Sequence, residues 1–260
     1  MPRRQTKSKT TAPREQSSRL HFKLAQSIGE KILGGVYAPG TLLPNEAEWC
    51  RIYGVSRTAV REAIKGLNAK GLLVSRPKVG SRVEPRNRWN MLDRDVLAWY
   101  CQAGDKREML MSIQEVRRVL EPEVAALAAG KCKPAQLELL KQALEDMRTA
   151  ETPAATAEPD VRFHLAVLAA ANNELLAPFG VLIESALKNL FDFTSVRGHE
   201  PEYVIPLHRN ILTAISRGNP EAARRAVRAL LKDTDTILVA GGPIRKRGKK
   251  PAAKKNGGKG

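Results

Sequence analysis

The sequence predicts a mainly α chain in two parts. Three helices and a β-hairpin in winged helix-turn-helix order come first, and an all-α antiparallel helical bundle follows. Three observations carry this expectation. Apolar residues recur at helical spacing from Leu20 onward, Gly54-Val55 makes a tight turn between two short helical stretches, and everything after Asp93 reads as helix interrupted by Pro and Gly.

In the first helix Leu20, Leu24, Ile28 and Ile32 follow one another at intervals of four, and Gly34-Gly35 supplies a C-cap. Tyr37 to Pro44 is short and extended, with a turn at Pro39-Gly40. Asn45 then offers an N-cap for a helix through Tyr53. Ser56 caps a third helix that runs to Ala69 and is stopped by Gly71. The apolar pieces Leu72-Leu73-Val74 and Arg82-Val83, around Pro77 and Gly80, read as a two-stranded hairpin. These elements make a domain at 19–84, and the polar, basic run 85–92 is the expected linker.

The second domain, 93–239, is expected to contain helices at Asp93–Gln102, Lys106–Ala129, Pro134–Ala150, Asp160–Ala171, Leu175–Val196, Glu202–Arg217 and Pro220–Val239. The last has the clearest start: Gly218 ends its predecessor, Asn219 caps, and Pro220 suits the first helical position. Short connections imply antiparallel neighbours.

The formal net charge is +17 on 260 residues, which points to a polyanionic partner, nucleic acid or an anionic membrane surface. Much of that excess lies in the ends, from Arg3 to Arg14 and from Arg245 to Lys259. Rich in small and polar residues, the tails 1–18 and 240–260 read as disordered, which weakens charge alone as an argument. No stretch approaches the roughly 18 apolar residues of a membrane span, and the N-terminus lacks the apolar centre of a secretory signal. A cytoplasmic protein without a membrane partner is the expectation. Cys50, Cys101 and Cys132 are odd in number and form no C-x-x-C pair, so neither a disulfide framework nor a zinc knuckle is expected. They read as small buried hydrophobes.

Projected at about 100° per residue, the third helix is two-faced. Val60, Ala63, Ile64 and Leu67 share one sector; Arg57, Thr58, Arg61 and Lys65 share the sector beside it. Arginine can fork two hydrogen bonds onto guanine or clamp a phosphate, so Arg57 and Arg61 are candidates to contact DNA. The alternative is an ordinary solvated basic face.

In the second half, Asp160 and His164 are one helical turn apart and project to one side, and His208 can join them only through the fold. An Asp/His/His set suits a divalent ion such as Zn²⁺, Ni²⁺ or Mn²⁺ and leaves positions open for water or an acid. Spacing alone favours the plainer alternative, a helix-capping Asp160 and two satisfied buried histidines. Arg117 precedes Glu121 by one turn and can form an ion pair along the helix.

Pro39-Gly40-Thr41-Leu42-Leu43-Pro44-Asn45-Glu46, Tyr53-Gly54-Val55-Ser56-Arg57-Thr58-Ala59-Val60-Arg61-Glu62-Ala63, Leu67 and Gly71-Leu72-Leu73 together resemble the DNA-binding domain of the GntR family of bacterial regulators. The resemblance implies that Arg57, Thr58 and Arg61 contact an operator, with the hairpin, including Lys78 and Gly80, as a wing reaching the minor groove. Two positions depart from the pattern: Ala47 stands where relatives often carry a DNA-contacting arginine, and Lys78 replaces the wing's first glycine.

The second half resembles the FCD effector domain of the FadR-type subfamily, on Glu115 to Pro122, Asp160-x-x-x-His164 and His208. That likeness implies a metal held by Asp160, His164 and His208, with Leu230 where a further histidine is common. It also implies that Arg117 meets an effector carboxylate beside the metal. Pro85 to Trp99 resembles the linker and first effector-domain helix of galactonate-operon repressors. A homodimeric repressor of sugar-acid catabolism on double-stranded operator DNA, relieved by an aldonate, is the implied function. Another carboxylate, such as a 2-hydroxy acid, is the alternative effector. A metal-dependent enzyme and a non-specific nucleic-acid-binding protein are the rivals from other classes. Against an enzyme stand the complete winged motif and the lack of any Ser-His, Gly-rich phosphate or paired general-acid signal.

Overall fold

The computed structural model describes residues 13–194 and 201–239; the tail expectations for 1–12 and 240–260 lie outside them. Ten α-helices occur among the described residues: α1 Pro13–Leu33, α2 Glu46–Tyr53, α3 Arg57–Ala69, α4 Arg94–Ala103, α5 Lys106–Lys131, α6 Pro134–Thr149, α7 Ala157–Ala170, α8 Gly180–Thr194, α9 Pro201–Ser216 and α10 Pro220–Val239. Between α3 and α4 lies an antiparallel hairpin, β1 Leu73–Arg76 and β2 Gly80–Val83, in register from Leu73↔Val83 to Arg76↔Gly80. The chain falls into two compact units. One holds residues up to Arg117 together with Asn172–Asn189, and the other holds Arg118–Ala171 together with the chain from Leu190.

In the first unit the expected apolar sectors meet. Leu24, Ile28 and Ile32 of α1 pack with Trp49 of α2, with Val60, Ala63 and Leu67 of α3, and with Leu73 and Val83 of the hairpin. Ile64, expected on the same sector, is half-buried at its margin. Both predicted caps form. The Asn45 side chain accepts from the Glu48 amide while the Glu48 carboxylate accepts from the Asn45 amide, and Ser56 Oγ accepts from Ala59 N–H.

Three differences from expectation go beyond a residue or two at an element's end. Helix α1 begins at Pro13, inside the expected tail, because proline is tolerated at a first helical position and Arg14-Glu15-Gln16 are good helix formers. Helix α7 begins at Ala157 rather than Asp160, since Pro159 falls in the first turn, where no intrahelical bond is lost. The expected helix Leu175–Val196 is divided at Pro178 into a 3₁₀ segment, Glu174–Phe179, and α8; Val196 lies outside the described residues.

The expected linker 85–92 is fastened to the winged domain. The Trp89 ring N–H donates to the Glu84 carbonyl at 2.9 Å, and Asn90 N–H donates to the Lys70 carbonyl at 3.1 Å. Gly71, at φ +72°, has no room for a side chain, because a Cβ would sit 2.3 Å from the Arg88 carbonyl. Helix α4 is itself part of the winged core through Val96 and Trp99, and the Trp99 ring covers Gly29 of α1 so closely that a Cβ there would lie 2.4 Å away. For this reason the division between units falls inside α5, beyond α4.

Lys70, at the C-cap of α3, ties the two together: its Nζ lies 2.8 Å from Asp93, the N-cap of α4, and 2.8 Å from Asp95. Burial alone would lower the Lys70 pKa, but hydrogen bonds from its ammonium to Asp93 and Asp95 outweigh that and hold it above the usual 10.5. Lys70→Met should cost about 1–3 kcal/mol, between the values for exposed and fully buried pairs. Because the folded pKa is raised, this contribution is complete below the unfolded pKa and disappears as pH rises through the folded one. Urea unfolding of both proteins should show a difference that stays constant through neutral pH and narrows only above 10.5.

In the second unit α6 lies against α7 and α9, and α9 against α10. Leu140, Met147, Phe163, Ile211 and Leu231 are fully buried there. No described helix is long and apolar enough to cross a membrane.

Candidate nucleic-acid interface and metal centre

Helix α3 turns Arg57, Thr58, Arg61 and Lys65 to solvent while Ala59, Val60, Ala63 and Leu67 are buried, as the projection requires. Arg61 is anchored at its root: Nε lies 3.0 and 2.9 Å from the two carboxylate oxygens of Glu46, the first residue of α2. In the wing the turn between the strands carries Lys78 at φ +63° and Gly80 at φ +101°. Lys78 thus holds the left-handed conformation that glycine adopts without strain. The hairpin closes with a lysine at that position, and its exposed ammonium sits at the tip.

The second cluster forms between side chains of α7 and α9, both of which pack on α6. Asp160 and His164 lie one turn apart on α7, His208 comes from α9, and all three are buried. Their potential ligand atoms lie within 4.8 Å of one another. Two contacts set the ring orientations. His164 Nδ1 is 3.1 Å from Glu121 Oε2, and His208 Nδ1 is 3.0 Å from the Val204 carbonyl one turn earlier. Each partner is an acceptor, so each Nδ1 is placed to donate, and in the neutral tautomer that this favours Nε2 is the atom available as a ligand. Phe163 packs edge-on against His208 at 5.0 Å and fixes the ring from its side.

Both Nε2 atoms face the same carboxylate oxygen, Asp160 Oδ1, at 2.8 Å from His208 and 3.9 Å from His164. The shorter distance suits an ion pair, yet His208 Nε2 has no hydrogen-bond partner. Two buried imidazole nitrogens converging on one carboxylate oxygen, one of them without a satisfied hydrogen bond, form the donor set that a cation site requires. Two neutral imidazoles and a carboxylate fit a divalent transition metal, and Glu121 behind His164 completes the carboxylate–histidine arrangement that orients such ligands.

A pattern described as bacterial regulatory proteins, gntR family, matches residues 21–83, and an FCD domain matches residues 112–233. The chain is 34% identical over 219 residues to the uncharacterized HTH-type transcriptional regulator YieP of Escherichia coli strain K12, covering 83% of this chain and 94% of that one. It is 32% identical over 219 residues to the galactonate operon transcriptional repressor of the same strain, covering 83% and 95%. The chain belongs to the GntR family. Among solved structures it shares its fold with Lar, which controls the expression of the Listeria monocytogenes agr system, at a TM-score of 0.58 and 18% identity over 90% of this chain and 100% of that one.

As a GntR-family protein with an FCD domain it is a DNA-binding transcriptional regulator, and the matched domains and relatives are regulators, not enzymes. FCD domains commonly bind metal. The structure brings Asp160, His164 and His208 together in one unit, and places Arg57, Thr58, Arg61, Lys65, Lys78 and Gly80 on two exposed elements of the other. Arg117 is buried in that first unit, its Nη1 donating to Gln114 Oε1 at 3.3 Å. Leu230 is a buried apolar residue of α10. Two residues gain roles that spacing did not reveal. Glu121 was legible only as an i+4 partner of Arg117, and Glu46 only as part of a motif.

Proposed function

We propose that this regulator is a homodimeric repressor of sugar-acid catabolism genes, released from its operator when an aldonate of the galactonate type binds the FCD domain. The buried Asp160–His164–His208 cluster, with His208 Nε2 left without a hydrogen-bond partner, is the observation that carries this reading. Similarity to the galactonate operon repressor supports the choice of acid. The α3 residues Arg57, Thr58, Arg61 and Lys65 are assigned to the major groove, and Lys78 and Gly80 to the wing contact.

Asp160, His164 and His208 would hold the ion; a divalent metal offers open coordination positions to a carboxylate and a neighbouring hydroxyl. Glu121 holds the His164 proton at Nδ1 and so keeps Nε2 available as a ligand. Arg117 is assigned to the acid because a guanidinium can donate two parallel hydrogen bonds to a carboxylate. The acid can alter DNA affinity only by binding two domain arrangements unequally.

Calorimetry of metal-loaded wild type and Arg117→Ala against aldonates, 2-hydroxy acids and unrelated acids tests the assignment. An aldonate should bind the wild type, and binding to Arg117→Ala should be weaker by about tenfold or more. Preference for a 2-hydroxy acid would change the effector; equal binding by both proteins would remove Arg117 from the site. Two-fold operator half-sites match a dimer, so light scattering should give twice the chain mass for the free protein and that mass plus one duplex for the complex. A monomer in both states contradicts the dimer.

A further inference from the structure

We infer that Glu46 is a specificity-determining residue of the DNA interface: it positions the Arg61 guanidinium for base recognition by holding its Nε–H. The inference rests on the assignment of Arg61 to the operator. Arg61 is the longest cation in the middle of the exposed face of α3, and a free arginine there would sample many rotamers. Both Glu46 carboxylate oxygens approach Nε, at 3.0 and 2.9 Å, across 15 residues of sequence and the turn between α2 and α3. A guanidinium has five N–H donors in a planar fork. Glu46 engages the inner one and leaves the Nη groups, the pair that reads guanine in the major groove.

The local fold makes Glu46 a fixed support. The reciprocal Asn45–Glu48 cap sets the first turn of α2, and Trp49, fully buried one turn on, anchors the helix in the core. Glu46 therefore projects from a rigid element onto a second rigid element. Ala47 beside it is small and exposed, so the start of α2 brings Arg61 a carboxylate partner and no competing cation. The side chains of Arg61 and Glu46 are 66% and 45% exposed, so the pair adds little to folding stability. Its consequence is orientation. It also places a negative charge near the DNA backbone, which opposes non-specific phosphate binding while a correct base contact repays the cost.

The test is a double-mutant cycle on the full-length protein: wild type, Glu46→Gln, Glu46→Asp, Arg61→Ala and Glu46→Gln/Arg61→Ala. Binding is measured to the best fragment from in vitro selection, to that fragment mutated one base pair at a time, and to random DNA. Glu46→Gln should lower the ratio of specific to random affinity about tenfold, the order of one weakened bidentate contact. The lost discrimination should fall at the base pair whose substitution no longer matters to Arg61→Ala, and random-DNA affinity should hold or rise. Glu46→Asp keeps the acidic first turn of α2 but is one methylene shorter, so it should share the loss. In the Arg61→Ala background Glu46→Gln should have no further effect.

Wild-type discrimination in Glu46→Asp, a loss spread evenly over the site, or the same loss in the Arg61→Ala background would each show that Glu46 acts only on helix α2, and would overturn the proposal. If Arg61→Ala itself changes nothing, the assignment of Arg61 to the operator fails first, and the proposal fails with it.

Discussion

Arg61→Ala should weaken operator binding by about 1–3 kcal/mol, the range for one bidentate base contact, and leave the fold intact. Arg61 is solvent-exposed, and its partner is a single exposed carboxylate, so neither the core nor a cap depends on it. Its loss should also relax preference at one base pair, whereas Lys65→Ala, if that side chain meets phosphate, should weaken all sequences alike. Fluorescence anisotropy on selected and random fragments, with thermal melting alongside, separates the two effects. Unchanged operator affinity in a folded Arg61→Ala protein would remove α3 from its reading role.

Asp160→Asn should have the second large effect. The substitution keeps volume and removes the charge on which both histidine Nε2 atoms converge. Metal affinity should fall by at least about a hundredfold, and acid binding should vanish with it. Glu121→Gln is the graded companion. It leaves all three ligands in place and weakens the acceptor of the His164 proton, so the loss should be about 10–100-fold. Elemental analysis after dialysis against a weak chelator gives the metal content directly. Stoichiometric metal in Asp160→Asn would place the ion elsewhere.

The winged domain was legible in the sequence because its signals are local. Asn45 and Ser56 are caps, Gly54 and Gly71 are stops, and the two sectors of α3 follow from helical period alone. Asp160 and His164 were legible as a pair for the same reason. His208 was joined to them by resemblance, and only the fold, with α7 and α9 both packed on α6, brings it to 2.8 Å from Asp160. Glu121 and Glu46 act across long sequence separations, on His164 and Arg61, and no local pattern encodes such partners. Polar, basic composition marks residues 85–92 as a linker but does not reveal how they are held, because Trp89 and the neighbouring Lys70 clamp are tertiary features. Pro178 lies within the 3₁₀ segment that precedes α8, a local breaker that the expectation of one helix over 175–196 does not register.

We propose that acid binding at the candidate metal site governs operator affinity. The most direct test is operator affinity of the metal-loaded full-length protein, measured with and without a saturating aldonate. Wild-type affinity should fall by about tenfold or more, within the usual range of coupling between sites, and Asp160→Asn should show no change. Identical wild-type affinity with every acid tried, or an equal fall in Asp160→Asn, would contradict the account.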